Sequence, residues 1–332
     1  MITRSMDEDQ QPRWIEELRQ AYTDPLSLLE DLALTASEVD LASVETNFSF
    51  RVPRPFVSRM RLADANDPLL LQVLPREQEF TVHDGFNLDP VGDLPSRRSP
   101  ALLQKYHGRA LIIATGGCAI NCRYCFRRHF PYAQAVGSSN IDRAISDLHA
   151  DRSINEIILS GGDPLLLDDD KLADLIAQLN AVPHLRRLRI HTRLPVTIPA
   201  RFTDQLISTL VTSKLTPVIV FHINHANEID HTVSAGLQRF AMAGIRLLNQ
   251  SVLLRGVNDD ESVLADLSEA LFDASVLPYY VHMLDPVAGA GHFDVKDAHA
   301  KMLEARLRVK LPGYLVPRFV REIAGESSKT PI

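Results

Sequence analysis

From residue 110 onward the sequence repeats one pattern, in which a short apolar run leads through a turn into an amphipathic segment. Six such runs, rich in β-branched residues, lie at 110–117, 156–163, 187–193, 216–224, 245–254 and 277–284. The segments between them, such as DDKLADLIAQLN and ESVLADLSEALFD, place apolar residues three and four positions apart, which is typical of helices. Short buried strands that alternate with helices indicate right-handed βαβ crossovers and a parallel sheet.

The number of repeats narrows the fold class. Six units are too few to close an eight-stranded barrel, so we predict an α/β protein built as a partial, open (β/α)6 barrel. The pattern leaves a doubly wound parallel sheet as the alternative. In both architectures the active site lies at the C-terminal ends of the parallel strands. The residues that directly follow each apolar run are therefore the first candidates for function.

The N-terminal part of the chain has a different pattern. The stretch PRWIEELRQAYTDPLSLLEDLAL predicts two short helices interrupted at Asp24 and Pro25, and prolines punctuate the helical pieces that follow. We predict a mostly helical N-terminal cap with its linker over residues 1–95 and a barrel with a C-terminal tail over residues 96–332. The stretch 89–100, which contains Pro, Gly and Ser, is the predicted linker.

Composition and charge exclude several classes of protein. A chain of 332 residues can bury a large core and form one large domain with a smaller piece. Its net charge of -7 gives no basic surface for nucleic acid, and no apolar run is long enough to span a bilayer. The N-terminus is acidic and lacks the apolar region of a secretory signal, so we expect a cytoplasmic protein. A small molecule or another protein is the expected partner.

All three cysteines of the chain lie in one short loop that follows the first predicted strand. Cys118, Cys122 and Cys125 have the spacing C-x3-C-x2-C, and core packing does not explain why every cysteine falls in this cysteine loop, residues 118–125. Two kinds of metal centre fit the pattern. With His129 the loop offers the four ligands of a structural zinc site. A [4Fe-4S] cluster normally takes four thiolates, so three would leave one iron open to an external ligand.

The cysteine spacing, with Tyr124 directly before the last cysteine, resembles the signature of radical S-adenosylmethionine enzymes. In that family S-adenosylmethionine chelates the open iron, and an electron from the cluster cleaves it to a 5'-deoxyadenosyl radical. The stretch LSGGDP, one βα unit later, is similar to the second motif of the family. The resemblance implies the partial, open barrel of the radical S-adenosylmethionine type, with the cofactor held by Tyr124, Gly161, Gly162 and Asp163.

From about residue 67 to the C-terminus the chain is similar to lysine 2,3-aminomutases, in segments that include CRYCFRRHF, SGGDPLLL, TRLPVTIPARFT, FHINHANEI, NQSVLLRGVND and GYLVPRFV. This resemblance implies an isomerase that moves the α-amino group of L-lysine to C3. It also implies pyridoxal 5'-phosphate as a further cofactor, a reductant such as flavodoxin or ferredoxin, and Gln250 as a further cofactor-binding residue.

The resemblance assigns three cations to pyridoxal phosphate. Lys329, in GESSKTP, matches the catalytic lysine that holds this cofactor, and the flanking Gly, Ser and Pro allow a close approach of the backbone. A lysine near the end of a chain is more often a solvated surface residue. Arg109 and Lys105 match two phosphate-binding arginines, although Lys105 offers a point charge in place of a planar fork.

Three further residues match the substrate contacts of the family. Arg127 matches the arginine that binds the substrate carboxylate, a task for which a bidentate guanidinium is suited. Asp285 and Glu322 match two carboxylates that bind the ε-ammonium group of lysine. The family has Asp where this chain has Glu322, so the side chain reaches one methylene further, and pocket depth and product stereochemistry stay open. A helix-capping Asp285 and a surface Glu322 are the alternatives.

The C-terminal tail narrows the subtype. Longer lysine-degrading aminomutases continue beyond the cofactor lysine with cysteines for a zinc site, which this chain lacks. Short tails resemble the enzyme that makes (R)-β-lysine, which a separate lysyl ligase attaches to elongation factor P. We therefore expect that function, with β-lysine formation for catabolism or as an osmolyte as the first alternative. A zinc-stapled, noncatalytic binding module is the alternative from another class, and the sequence leaves a homo-oligomer open.

Overall fold

The computed structural model describes residues 10–44 and 48–332, so positions 1–9 and 45–47 of the predicted cap lie outside the described residues. In the described part of the chain, ten strands form one sheet in which neighbours in the sequence are neighbours in space. The strands are β1 (Arg97–Ser99), β2 (Leu102–Leu103), β3 (Arg109–Thr115), β4 (Glu156–Gly161), β5 (Arg187–Thr192), β6 (Thr216–Phe221), β7 (Arg246–Val252), β8 (Leu277–His282), β9 (Arg318–Arg321) and β10 (Thr330–Pro331).

Strands β3 to β9 run parallel, and β1, β2 and β10 add antiparallel pairs at the two ends of the sheet. Each crossover advances by one strand in the same direction, whereas a doubly wound sheet reverses its strand order at a switch point. The predicted open, partial barrel is therefore confirmed, and the doubly wound alternative is wrong. All six predicted strands are present, as β3 to β8, and β9 continues the parallel series.

Helices return the chain between the parallel strands. They are α5 (Tyr132–Ala135), α6 (Ser138–Ala150), α7 (Asp169–Asn180), α8 (Leu194–Thr197), α9 (Asp204–Val211), α10 (His231–Met242), α11 (Glu261–Asp273) and α12 (Asp297–Lys310). Asp168, Asp230 and Asp260 each cap a helix by accepting from backbone amides of its first turn, which stabilises the start of α7, α10 and α11. Within the described ranges, every helix is too short or too polar to cross a membrane.

Strand β5 illustrates how the two faces of the sheet differ. Leu188 and Ile190 are buried in the main apolar core together with residues of the surrounding helices. Arg189 and His191 alternate with them and therefore lie on the opposite face, toward the inside of the barrel. The interior is thus lined partly by polar side chains, as in barrels that hold a ligand.

The N-terminal segment contains α1 (Gln10–Arg19), α2 (Pro25–Asp31), α3 (Arg54–Val57) and α4 (Pro68–Leu71), and it packs on the barrel. Trp14 is buried, and its ring lies 4.9 Å from the Arg201 guanidinium. A second apolar cluster joins this segment to Ile120 in the cysteine loop. The backbone amide of Arg123 also donates to the carbonyl of Gln72 at 2.8 Å. The N-terminal segment therefore contacts the cysteine loop directly. The division of the chain between residues 95 and 96 stays a prediction.

The C-terminal stretch forms the last two strands. Strand β9 pairs with β8, and β10 turns back to pair with β9, so that Thr330 lies opposite Arg321. Gly325, in the connection, has a φ of +89°, a conformation that favours glycine. Ile332 packs against the apolar cluster beneath β9. Lys329, directly before β10, is consequently held beside the end of β9.

Candidate active site

The cysteine loop follows β3 at the C-terminal edge of the parallel strands, where the sequence predicts the active site. Cys118, Cys122 and Cys125 are all unpaired and half-buried. Burial raises the pKa of Cys118 well above its ordinary value, and the neighbouring Cys125 adds to this rise. Burial, with a smaller contribution from Cys122, raises the pKa of Cys125 to about 11. Such thiols ionise at neutral pH only beside a compensating positive charge, which iron supplies. The donor set therefore fits a cluster.

The three cysteines and His129 are not arranged as the four ligands of a single zinc ion. In residues 10–44 and 48–332, no three side chains of His, Cys, Asp or Glu converge as ligands of a single metal ion. His129, the fourth ligand of that hypothesis, lies with its Nε2 3.2 Å from the carbonyl oxygen of Ala288. A [4Fe-4S] cluster makes no such demand, because each thiolate binds a different iron.

The two glycines after β4 allow the second motif to press against the cysteine loop. Gly161 has a φ of +123°, and a Cβ on Gly162 would lie 1.9 Å from the carbonyl oxygen of Gly117. The amide of Gly162 donates to the Thr115 carbonyl at 2.8 Å, and the amide of Asp163 donates to the Gly117 carbonyl at 2.7 Å. The motif and the loop therefore form one backbone surface, as binding of one cofactor by both would require.

The Asp163 carboxylate has local partners. It accepts from the Thr192 hydroxyl and the Arg193 amide, both at 2.7 Å, and so ties the end of β4 to the end of β5. Burial raises its pKa, although these donors oppose the rise. This cross-link is a structural role that the sequence did not suggest, and the predicted contact of Asp163 with S-adenosylmethionine stays a prediction.

Behind the loop, Tyr124 belongs to a buried polar network. Its hydroxyl accepts from Arg193 and from Asn224, both at 2.6 Å. Sequence reasoning missed Arg193, although its position directly after β5 in HTRLP was a usable signal.

Neutral imidazoles line the interior of the barrel. His191 and His222 meet edge to face with ring centroids 5.8 Å apart, and Gln250 Nε2 lies 2.9 Å from His222 Nε2. Burial lowers the pKa of His222 to about 3 and keeps the pKa values of His191 and His282 well below the ordinary range. The predicted Gln250 therefore lies among uncharged hydrogen-bonding groups, and the sequence reasoning missed these histidines.

Two predicted cations share one buried carboxylate. Asp93 Oδ2 accepts from Arg127 Nε at 2.7 Å, and Asp93 Oδ1 forms an ion pair with Lys105 Nζ, also at 2.7 Å. Burial alone would raise the pKa of Asp93, but Arg127 and Lys105 outweigh it and hold that pKa below its ordinary value. Arg127 also donates to the Ser160 hydroxyl at 3.1 Å. Asp93 lies in the stretch predicted as a linker, and it is a site residue that the sequence reasoning missed.

The tail lysine enters the same network through Glu322. Lys329 Nζ donates to Glu322 Oε2 at 2.7 Å, and Lys105 Nζ lies 3.5 Å from Glu322 Oε1. Glu322 also hydrogen-bonds to Tyr106, whose ring centroid lies 4.5 Å from the Arg109 guanidinium. Lys329 and Glu322 from the C-terminal stretch therefore lie beside Lys105, and Tyr106 connects them to Arg109 at the start of β3.

Asp285, three residues after the end of β8, completes this group. Its Oδ1 is buried and has no hydrogen-bond partner in the part of the chain that the structure describes. Burial raises the pKa of Asp285 to about 7 against the opposing charge of Lys329. The alternative of a helix-capping Asp285 is not supported, because the residue lies beside the charged network and keeps an oxygen for a ligand.

An open parallel barrel whose first parallel strand leads into a three-cysteine loop defines a radical S-adenosylmethionine enzyme, and the model of the Radical SAM superfamily matches residues 112–267. Within that class, the chain belongs to the lysine 2,3-aminomutase family. It is 49% identical over 322 residues to L-lysine 2,3-aminomutase of Escherichia coli (strain K12), which covers 96% of this chain and 94% of that protein.

Two further relatives are also similar to this chain over most of its length. The L-lysine 2,3-aminomutase of Haemophilus influenzae is 45% identical over 323 residues, which cover 97% of this chain and 96% of that protein. A glutamate 2,3-aminomutase of Clostridioides difficile is 30% identical over 320 residues, which cover 95% and 75%. The protein is accordingly an isomerase with a [4Fe-4S] cluster, S-adenosylmethionine and pyridoxal 5'-phosphate as cofactors, and the noncatalytic zinc module is excluded.

Proposed function

We propose that the protein is a lysine 2,3-aminomutase that converts L-α-lysine to (R)-β-lysine. The observation that carries the proposal is the continuous charged network from Arg127 through Asp93 and Lys105 to Glu322 and Lys329. The Arg127 guanidinium lies at one end of this network, and the carboxyl groups of Glu322 and Asp285 lie at the other end. An amino acid that carries a second ammonium group is complementary to both ends.

Arg127 binds the substrate carboxylate in this proposal. The residue is 8% exposed, and Asp93 and Ser160 fix the direction of its guanidinium, so little orientational freedom is lost when a substrate binds. A charge-assisted pair of this kind sets the position of the α-carbon relative to the cofactors.

Asp285 and Glu322 bind the ε-ammonium group. Asp285 keeps an oxygen for this contact, and Glu322 exchanges its partner Lys329 for the substrate when that lysine engages the cofactor. A glutamate substrate would bring a second carboxylate to this end, where two carboxylates would repel it. The two carboxylates therefore favour lysine over glutamate.

The three cysteines hold the cluster, and Tyr124, Gly161, Gly162, Asp163 and Gln250 contact S-adenosylmethionine. Lys329 holds pyridoxal phosphate, with Lys105 and Arg109 at its phosphate. When bound, these groups supply the radical and the conjugated system that lets nitrogen migrate. The chain orients the substrate between them, and the neutral histidines of the interior provide hydrogen bonds without adding a charge.

The product is proposed to supply a lysyl ligase that modifies elongation factor P, in the cytoplasm, with flavodoxin or ferredoxin as reductant. The resemblance of the segment GESSKTP to that subtype supports this use and the (R) configuration. Formation of β-lysine for catabolism or as an osmolyte is the alternative. Formation of (S)-β-lysine, or full activity of this protein in cells that lack elongation factor P, would favour the alternative.

A substrate comparison tests the assignment. The anaerobic protein with reconstituted cluster, reductant, S-adenosylmethionine and pyridoxal phosphate is incubated with L-lysine or L-glutamate. We expect kcat/KM to be at least about 100-fold higher for lysine, because unpaired or repelled charges in a built pocket discriminate strongly. Comparable turnover of glutamate would contradict the proposal.

The role of Lys329 has its own test. Lys329→Ala should abolish turnover and leave iron and sulfide content unchanged, because the lysine lies on the tail and not in the cysteine loop. Lys310→Ala, at the exposed end of α12, is the matched control and should keep full activity. Mutase activity retained by Lys329→Ala would remove this assignment.

A further inference from the structure

Arg193 contacts one of the three cluster cysteines from inside the protein. The residue directly follows β5 and is 5% exposed. Its Nη1 donates to the Sγ of Cys122 at 2.7 Å and to the Tyr124 hydroxyl at 2.6 Å. A buried positive charge therefore lies in hydrogen-bond contact with a ligand atom of the iron-sulfur cluster.

The other half of the guanidinium is fixed by the cap and by the loop after β6. Its Nη2 donates to Gln72 Oε1 at 2.7 Å and to Glu228 Oε2 at 2.9 Å. Glu228 is fully buried, and its Oε1 accepts from the Asn224 amide at 2.9 Å. Arg193 cannot turn away from Cys122 without breaking these bonds, so the contact is built into the fold.

The contact has a direct electrostatic consequence. Reduction adds an electron to the cluster, and a hydrogen bond or a positive charge at a ligand sulfur stabilises the reduced state. A nearby carboxylate destabilises the reduced state, because its negative charge repels the added electron. Glu228 pairs with Arg193 and offsets part of its charge, so the two side chains act on the cluster with opposite signs.

We propose that Arg193 raises the reduction potential of the cluster through its hydrogen bond to Cys122, and that Glu228 limits this rise. The pair thus sets how easily a reductant delivers the electron that starts the reaction. Arg193 acts on the cluster and is a positioning residue, not a substrate contact. The inference rests on the cluster and is independent of which amino acid the enzyme isomerises.

A redox titration of two variants tests the inference. The anaerobic protein with reconstituted cluster, without S-adenosylmethionine, pyridoxal phosphate or lysine, is poised at the midpoint of the wild type and measured by electron paramagnetic resonance. We expect Arg193→Gln to lower the ratio of reduced to oxidised cluster about tenfold and Glu228→Gln to raise it about tenfold, where tenfold is 59 mV for one electron.

Arg201→Gln provides a matched control. Arg201 is also fully buried and also pairs with a buried carboxylate, Asp169, at 2.7 Å. Within the described residues its hydrogen bonds go to the carbonyls of Leu165 and Leu167 and to the Thr203 hydroxyl, and not to a cysteine. This variant should lose stability like the others and leave the redox ratio within a factor of about two of the wild type.

Ratios that stay within that factor for both test variants, or that move in the same direction, would overturn the inference, because a general loosening of the site gives no opposite signs. If Arg193→Gln does not retain iron and sulfide, Glu228→Gln decides, and an unchanged or lower ratio would contradict the proposal. A protein that fails to isomerise lysine but gives opposite shifts would reject the proposed substrate and keep this inference.

Discussion

At the scale of single residues, Asp93 connects two cations, Arg127 and Lys105, for which the sequence predicted separate roles. Its two oxygens bind Arg127 and Lys105, one proposed for the substrate carboxylate and the other for the cofactor phosphate. A buried carboxylate between two cations is difficult to replace, because removal of one partner leaves the others buried and unpaired. Substrate and cofactor binding should therefore be coupled through this residue.

Asp93→Asn should raise the KM for lysine about tenfold or more and weaken retention of pyridoxal phosphate, since both cations lose their anchor. Steady-state kinetics and the absorbance of bound pyridoxal phosphate measure the two effects. Asp84→Asn, an exposed change nine positions before Asp93 in the chain, is the control. An Asp93→Asn enzyme with unchanged KM and cofactor content would contradict the coupling.

The raised pKa of Asp285 predicts the pH dependence of substrate binding. Below about pH 7 the carboxyl is protonated and does not pair with the ε-ammonium group, so the KM for lysine should fall as pH rises through about 7. Asp285→Asn should remove this dependence and raise KM. Initial rates between about pH 6 and 8.5 measure it. The same pH profile in the variant and the wild type would show that another group titrates.

The same residue has an effect on stability whose sign is fixed. The folded state binds the Asp285 proton more tightly than the unfolded chain, so this group lowers the free energy of unfolding as pH rises from about 4 to about 7. Asp285→Asn, without cofactors, should therefore unfold at a higher temperature than the wild type at pH 8 and show little difference at pH 4. Thermal melts at the two pH values measure the change.

At the scale of elements, the sequence predicted those strands that contain a continuous run of apolar, β-branched residues. Strands β3 to β8 each contain six or seven residues, whereas β1, β2, β9 and β10 contain two to four and were not predicted. Such short strands near the two ends of the sheet are defined by the partners they pair with, and a local sequence pattern does not contain that information. Lys329 was identified by resemblance, but the β9–β10 pairing that places it became visible only in the structure.

Removal of residues 330–332 tests the role of that pairing. Thr330 and Pro331 pair with β9, and Ile332 packs on the apolar cluster beneath it. Without them Lys329 loses its anchor, so we expect retention of pyridoxal phosphate to fall about tenfold or more while iron and sulfide stay unchanged. Spectroscopic titration with the cofactor measures this effect. Full affinity in the shortened chain would show that β10 is dispensable.

At the scale of the whole molecule, the cap and the barrel build the cluster site together. Glu79 of the cap pairs with Arg123 and Arg128 of the cysteine region at 2.7 Å and 2.8 Å, and Gln72 holds Arg193. The sequence predicted a cap, the barrel and the cysteines. It could not predict these contacts, because they join residues more than 40 positions apart and depend on the packing of two regions.

Glu79→Gln should expose the cluster to solvent. Breaking a buried ion pair costs about 3–5 kcal/mol, and the loop that holds all three cysteines would loosen. We expect the reconstituted cluster to bleach several-fold faster in air, followed by its visible absorbance, while Glu30→Gln, an exposed change on α2, bleaches like the wild type. Equal rates in both variants would show that the cap does not protect the cluster.

The most direct test of the account is the product that the protein makes from L-lysine. After anaerobic incubation with reductant, S-adenosylmethionine and pyridoxal phosphate, chiral chromatography should detect (R)-β-lysine. A protein that carries its full cluster and pyridoxal phosphate but leaves L-lysine unchanged, or yields the (S) product, would contradict it.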